Sequence, residues 1–483
     1  MDRGSPGRAP LVRAAQAPAL DAGAPTDALS PHSDSYRRVV LLLLMLAYTF
    51  NSAHRSLIAI IGQPMKVELE LSDTQLGLLA GTAFAALYAL AGLPIARLAE
   101  RFNRVTIISM SLAVWSALTA LCSTAGSFAQ LIALRLGIGI GEAGCSAPAH
   151  SLISDYYGRR HRTRALSVYS CGLSLGYLFV TMVGGAVVAR YGWRAACVAV
   201  GLPGVVTAFA IKRIVTEPVR GGAELSAGTG AAAAPTAPFA WRAEAHELAA
   251  VARRLFGRWP SAHIVFGFTV SSFASYGAYV FIPAYFNRDF GLDFATIGLV
   301  LGLAGSVPVA LGTLTGGWIT DFLGARRGRW YALAPAAGLA LATPLYVLAF
   351  LQRDFRSAAA LLAAAGFFQY ISLGPTFGIV QNVVAVRQRA TATALLYLCL
   401  ILLALAGGPP FTGWLIDRFA DAHLAGAFGA TCPGGAGSPA CAAALAAASR
   451  EGIILTLCLQ AWGAAHYALG AIGLERQLRE AEV

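Results

Sequence analysis

Apolar residues run in long blocks along this chain, and short clusters of arginine, glycine and proline separate the blocks. A block of about twenty apolar residues suits a helix crossing about 30 Å of hydrocarbon. Such blocks predict spans over 39–62, 74–97, 104–124, 127–151, 163–189, 194–212, 262–286, 294–320, 329–351, 357–381, 389–413 and 452–473. The expected fold class is an all-α membrane protein, with twelve transmembrane helices in two six-helix, pseudo-symmetric bundles. The expected divisions are a disordered tail over 1–35, a first bundle over 36–212, a linker over 213–260, a second bundle over 261–474 and a tail over 475–483. Gly221 to Ala240 is an Ala/Gly/Pro/Thr stretch that reads as a flexible linker. After it, Trp241, Ala245, Leu248, Ala252 and Leu255 share one helical face. That helix either lies on the membrane surface or packs on the ends of the bundle.

The symmetry of the halves has a local signature. The loop Ala96-Arg97-Leu98-Ala99-Glu100-Arg101-Phe102-Asn103-Arg104 returns later as Gly317-Trp318-Ile319-Thr320-Asp321-Phe322-Leu323-Gly324-Ala325-Arg326-Arg327. In each copy a small residue stands four places before an acid, arginines follow, and the second span of its half has just ended. A repeat of this kind in so apolar a chain indicates a transporter built from two related halves.

Composition and charge agree. The chain has 483 residues, 57% of them hydrophobic and 12% charged, with mean hydropathy +0.62. That is too apolar for a soluble protein of this size. The formal charge of +12 sits in short arginine clusters between the blocks, so nucleic acid is not an expected partner. Of the 36 lysines and arginines, Arg55 and Arg135 fall inside spans. Only Lys66, Arg190, Arg194, Arg288, Arg353, Arg356, Arg418 and Arg450 fall in loops on the side away from the termini. The positive-inside rule then puts both termini in the cytoplasm, with the chain multi-pass in a bacterial inner membrane. No Cys/His spacing suits a metal. Cys432 and Cys441 share one Gly/Pro-rich loop outside the spans, where a disulfide is plausible if the loop is periplasmic.

The repeated loop resembles the hallmark of the major facilitator superfamily, the small-x-x-x-Asp-Arg-x-Gly-Arg loop between spans 2 and 3 that is echoed between spans 8 and 9. The second copy matches it closely; the first carries Ala96, Glu100 and Asn103 where the family has Gly, Asp and Gly. The resemblance implies that the acid, Glu100 or Asp321, latches against the N-terminus of span 11 in the outward-open state. A carboxylate is favoured there by the helix dipole. It further implies that Arg101, Arg104, Arg326 and Arg327 serve gating, with a motif arginine paired to Asp155 at the end of span 4. A narrower resemblance, strongest over 36–218, is to bacterial members of the Spinster family. It is carried by Tyr48-Thr-Phe-Asn51, Leu71-Ser-Asp-Thr-Gln-Leu-Gly-Leu-Leu79, Gly139-Ile-Gly-Glu-Ala-Gly-Cys-Ser-Ala-Pro-Ala149, Ser151-Leu-Ile-Ser-Asp-Tyr156 and Tyr191-Gly-Trp-Arg194. Spinster relatives usually carry Asp-Arg in span 1, where this chain has His54-Arg55.

Ionisable side chains within the spans are the candidate chemistry, because a charge in hydrocarbon needs a cavity or a partner. Glu142 is the first candidate for proton coupling, and a fixed ion pair that only holds span 4 in place is the alternative. His54 either relays a proton or is a neutral hydrogen-bonding group. Arg55 and Arg135 are candidate anchors for a phosphate or carboxylate. Asn51, Tyr48, Tyr276 and Tyr397 are candidate substrate contacts, and Tyr177, Tyr279, Gln369 and Tyr370 could also line a cavity. No acid lies inside a span of the second half, so ion coupling is expected in the first.

The expected function is secondary active transport of an amphiphilic or lipid-like organic anion by alternating access. The proton is the expected coupling ion, the lipid bilayer the only expected partner besides the substrate, and the chain is expected to act as a monomer without a cofactor. Transport of a small organic anion or drug is the alternative, and a membrane sensor that has lost transport is a third reading. No nucleophile elbow, metal set or nucleotide loop points to an enzyme.

Overall fold

The computed structural model describes residues 33–157, 159–220, 241–324, 326–384, 388–433 and 438–482, and no strand occurs among them. Ten helical runs there are long and apolar enough to cross a membrane. One of them, Arg164–Ile214, is 51 residues long and holds two spans, because the chain turns at Gly192 with φ of 79°. The helix Asp34–Glu68 is 35 residues long but is not among the ten. Asn51, Ser52, His54, Arg55 and Ser56 dilute its hydropathy at mid-span, although its length of about 50 Å exceeds the hydrocarbon. With these two adjustments the twelve expected spans are accounted for.

Local sequence explains where the helices start. Ser33 accepts from the amide of Tyr36 and opens span 1. A complete capping box between Ser72 and Gln75 opens span 2. Asn103 accepts from the Thr106 amide at 2.8 Å and opens span 3, so the residue that departs from the loop pattern is a helix cap. Ser127, Asp354 and Ser438 cap spans 4, 10 and 12 in the same way.

Several boundaries differ from expectation. Helix begins at Asp34 rather than after residue 35, and residues 1–32 of the expected tail lie outside the described residues. Span 12 begins at Pro439 rather than near 452, because the alanine-rich run before Arg450 extends it by several turns. The expected tail 475–483 is instead a helix, Leu474–Glu482, whose Leu474 is fully buried. The proposed flexible linker 221–240 lies outside the described residues. The Trp241–Phe256 helix packs on the bundle through Val251 and Leu255, both fully buried. Leu248, placed on the buried face by its spacing, is 46% exposed.

Spans 5 and 11 each contain a π segment, Val180–Gly184 and Leu400–Leu405. Each segment lies where its span meets the opposite half of the molecule. A Cβ on Gly298 of span 8 would stand 1.8 Å from the Thr181 carbonyl oxygen, and one on Gly81 of span 2 would stand 2.4 Å from that of Leu405. Only glycine permits either approach. Beside the second contact, Thr82 Oγ1 donates to the Ala406 carbonyl at 2.7 Å. These contacts favour one end of the molecule, the end of the 68–73 turn, here called the far end. The opposite, terminal end carries Ser33 and Glu482. Toward it the halves separate: a Cβ on Gly92 of span 2 would meet nothing within 4 Å. The start of span 11 packs mainly on span 10 and on the Trp241–Phe256 helix.

Gly298→Val should therefore wedge spans 5 and 8 apart while leaving each half intact. The expected outcome is a loss of about 1–3 kcal/mol from the state closed at the far end. Distances between spin labels across that end should broaden, and an unchanged distribution would refute the joint.

Candidate functional site

The central site forms on span 1, where Asn51 and Arg55 are one helical turn apart. Asn51 Nδ2 donates to Glu142 Oε2 at 3.1 Å, and Arg55 Nε donates to the same oxygen at 2.7 Å. Glu142 ends the helix Phe128–Glu142 of span 4, is fully buried, and has no partner for Oε1 among the described residues. One oxygen thus takes two donors while the other takes none. Arg55 keeps 34% of its side chain exposed. Its guanidinium lies 5.1 and 4.7 Å from the ring centroids of Phe84 and Tyr88, in cation–π contact with two neighbouring rings of span 2. Tyr48, Tyr276 and Tyr397 all lie within electrostatic range of Arg55, and Tyr276 and Tyr397 keep 39% and 50% of their surface. Tyr48 stacks on Tyr169 at 4.6 Å.

Two of the sequence candidates lie elsewhere. His54 is 1% exposed and points toward span 6, with Nε2 3.2 Å from the Val200 carbonyl. A carbonyl only accepts, so Nε2 carries the proton. The ring also meets Trp115 edge-on at 6.4 Å, and His54 makes no hydrogen bond to Glu142. Arg135 is 3% exposed, donates from Nε to the Leu79 carbonyl at 3.0 Å and has its guanidinium over the Phe84 ring, 5.7 Å from the centroid. It borders an enclosed cavity of about 10 Å³ with Leu57, Ile61, Cys122 and Cys197, inside the first bundle. A hundred-degree step per residue explains the first placement: His54 and Arg55 are neighbours in sequence and face different helices.

The second half answers this charged cluster with neutral groups. Tyr346 donates to Gln369 Oε1 at 2.5 Å, and Gln369 Nε2 donates to Ser275 Oγ. Gln460 Nε2 reaches the same hydroxyl at 3.3 Å and accepts from Ser271 at 2.8 Å. Of these residues, only Gln369 was singled out by its sequence.

The far end is closed by a charged cluster that includes Lys66 and Arg288, two of the basic residues expected in loops there. Asp417, in span 11, accepts from the amides of Asp73 and Thr74 at 2.9 and 2.7 Å and from Thr74 Oγ1 at 2.6 Å. It thereby caps the N-terminus of span 2 from the opposite half. Arg288, at the end of span 7, donates to Asp73 at 2.7 Å, Gln63 at 2.6 Å and Ser449 at 2.7 Å, while Lys66 also pairs with Asp73. Lys66 and Asp73 are buried almost completely. Ser72-Asp73-Thr74 at a helix start was the available signal, but nothing in the sequence joined it to Asp417. Nearby, Cys432 and Cys441 are joined by a disulfide.

At the terminal end the motif arginine paired with Asp155 is Arg104, at 2.5 Å. Arg104 also donates to Ser151 at 2.8 Å and to Glu217 at 2.5 Å. Glu217 in turn accepts from the Val105 amide at 3.1 Å. The stretch after span 6 is thus strapped to span 3, and Arg220 extends the strap to the carbonyls of Ala99 and Phe102. Arg101 is exposed, as are Arg326 and Arg327, and Arg326 lies over Phe322 at 4.7 Å. The side chains of Glu100 and Asp321 lie outside the described residues, so their latch role stays an expectation.

The family model described as Major Facilitator Superfamily matches residues 42–400. The chain belongs to that superfamily. It is 30% identical, over 82% of its length and 88% of the relative's, to an MFS-type efflux pump of Mycolicibacterium smegmatis. It is 26% identical to protein spinster homolog 1 of Xenopus tropicalis, over 80% of this chain and 74% of that one. A crystal structure of a bacterial homolog to the human lysosomal transporter Spinster, inward-facing and unoccupied, aligns with TM-score 0.80 and 29% identity, covering 93% of this chain and 99% of that one. Within the superfamily the chain is Spinster-like, with the fold and relatives of membrane transporters rather than enzymes.

Arg288→Met should leave Asp73 and Gln63 short of their partner. Removing one member of a buried ion pair costs about 3–5 kcal/mol, here from the closed far end. Reactivity of a cysteine introduced beside Gln63 toward a membrane-impermeant thiol reagent should rise, and unchanged reactivity would remove Arg288 from the closure.

Proposed function

We propose that this Spinster-like chain is a secondary active transporter that moves an amphiphilic or lipid-like organic anion by alternating access, coupled to protons. The carrying observation is the Asn51–Glu142–Arg55 cluster, where a fully buried carboxylate holds an arginine that is still one-third exposed. Glu142 and an anionic headgroup would compete for the same guanidinium. With Glu142 ionised, Arg55 is engaged; with Glu142 protonated, Arg55 is free to bind phosphate or carboxylate. Proton uptake and substrate binding are thereby linked through one side chain. Tyr276 and Tyr397 supply aromatic surface for the apolar part. Both termini are read as cytoplasmic in a bacterial inner membrane. The arginine distribution supports this, and so does a disulfide at the far end, where an oxidising periplasm would preserve it.

A second reading, a small organic anion or drug as cargo, draws support from the relative named as an efflux pump. Competition by lysophospholipids against organic acids for one bound probe separates the two.

The main test is flux in proteoliposomes with and without an imposed pH gradient. Wild-type flux should accelerate under the gradient. Glu142→Gln, which mimics the protonated acid, should bind the anion while losing all response to the gradient. Arg55→Ala should weaken anion binding by about tenfold or more, as expected for losing hydrogen bonds to a charged group. A Glu142→Gln protein that still follows the gradient would sink the coupling proposal, and full binding by Arg55→Ala would sink the headgroup site.

A further inference from the structure

Away from the central site, a cavity of about 350 Å³ opens at the terminal end of the second half. One wall comes from the start of span 7, with Arg258, Trp259 and Pro260. The other comes from the turn into the C-terminal helix, with Ile472, Gln477 and Glu480 beside Arg476. The walls are fixed relative to each other. Gln477 donates to Ser261 Oγ at 2.8 Å and accepts from the Ser261 amide at 3.2 Å, and both residues are buried.

The mouth is cationic. Arg258 Nη1 and Arg476 Nε each donate to Glu480, at 2.8 and 2.9 Å. The hydrogen bond from Arg476 holds the Glu480 carboxyl below its usual range, so the mouth keeps two cations against one anion. Each guanidinium has spent one of its five N–H groups on Glu480. The side chains of Arg258 and Arg476 are 61% and 83% exposed, which leaves most of their donors open to a ligand.

The cavity also has an apolar continuation. Trp259 is 57% exposed and Ile472 is 64% exposed, and the Trp259 indole is anchored to the Leu469 carbonyl at 3.2 Å. From Trp259 a partly exposed strip of aromatic rings, here called the furrow, runs along the seam of spans 7 and 12. Trp259 meets His263 at 4.1 Å, and Phe266 meets His466 at 4.6 Å and Trp462 at 5.4 Å. Phe266 and Trp462 remain 42% and 50% exposed. Seven residues from Trp259 to Phe266 carry the furrow about 10 Å into the hydrocarbon. A tryptophan at a span end sits at headgroup depth, so the polar mouth lies at the interface and the furrow beneath it.

We propose that this cavity is a binding site for the phosphate headgroup of an anionic phospholipid, held by Arg258 and Arg476, with an acyl chain laid along the Trp259–Phe266–Trp462 furrow. Free phosphate offers the same chemistry to the arginines but nothing to the furrow. Phosphatidylcholine fills the furrow equally well, but its choline offsets the phosphate charge at a mouth that is already net positive. The site is separate from the central cluster and does not depend on the transported substrate.

The test is thermal unfolding of the delipidated, detergent-purified protein with phosphatidylglycerol, with phosphatidylcholine of the same chains, and with inorganic phosphate. Phosphatidylglycerol should raise the midpoint by about 3 °C, with little change from the other two. In the Arg258→Gln/Arg476→Gln protein the response to phosphatidylglycerol should fall to that of phosphatidylcholine, while Arg55→Ala should keep it. Equal shifts from both lipids, or a full shift in the double variant, would overturn the proposal; a full shift with phosphate alone would make it a free-anion site and overturn the lipid. Should the double variant not fold, brominated phosphatidylglycerol provides an independent readout. It should quench wild-type tryptophan fluorescence more than that of Trp259→Phe, and equal quenching would overturn the proposal.

Discussion

A charge in the middle of an apolar bundle has to be matched within hydrogen-bonding distance, and that requirement organises the first half of this molecule. Glu142 is matched on one oxygen by Asn51 and Arg55. Arg55 in turn needs the faces of Phe84 and Tyr88, and these fix how span 2 approaches span 1. The break in span 4 after Glu142, from Ala143 to Cys145, places the carboxylate at a helix end rather than along a cylinder. Arg55 with Asn51, the two rings and Glu142 sit on three different spans, so the ion pair also holds the helices in register. A change in its protonation is then a change in packing.

The second half solves a different problem with the same architecture. Its interior polar groups are amides and hydroxyls, linked from Tyr346 through Gln369 and Ser275 to Gln460 and Ser271. Such a network is satisfied at any pH near neutrality, and it costs far less to bury than a net charge. The two bundles share a backbone plan, while the buried carboxylate–arginine pair at mid-span belongs to the first of them. Between them, the far-end closure is ionic and crosses the halves twice, through Asp417 on Asp73–Thr74 and through Arg288 on Gln63 and Asp73.

Much of this was legible in the sequence, for physical reasons. Span number and the two-bundle plan follow from apolar block length, and the pairing of Asp155 with a motif arginine follows from the resemblance of the repeated loop. Glu142 and Arg55 stood out because a charge inside a span is rare. The partners were harder to read. Neither the pairing of Asp417 with the start of span 2 nor the strap of Glu217 on Arg104 has a local signature, since each joins residues more than a hundred positions apart. His54 was grouped with Arg55 by adjacency, although one residue along a helix turns the side chain to a different neighbour. Arg135 shares a helical face with Glu142, yet its guanidinium turns into the bundle toward the Leu79 carbonyl.

The π segments of spans 5 and 11 carry one more consequence. Each presents a main-chain oxygen, of Thr181 and of Leu405, to a glycine on the opposite half, so the molecule has two bearings of the same make on its two flanks. A rigid rotation that preserves both must turn about the line through them. A motion that keeps both contacts is thereby left one degree of freedom of six, and it pivots on backbone rather than on side chains.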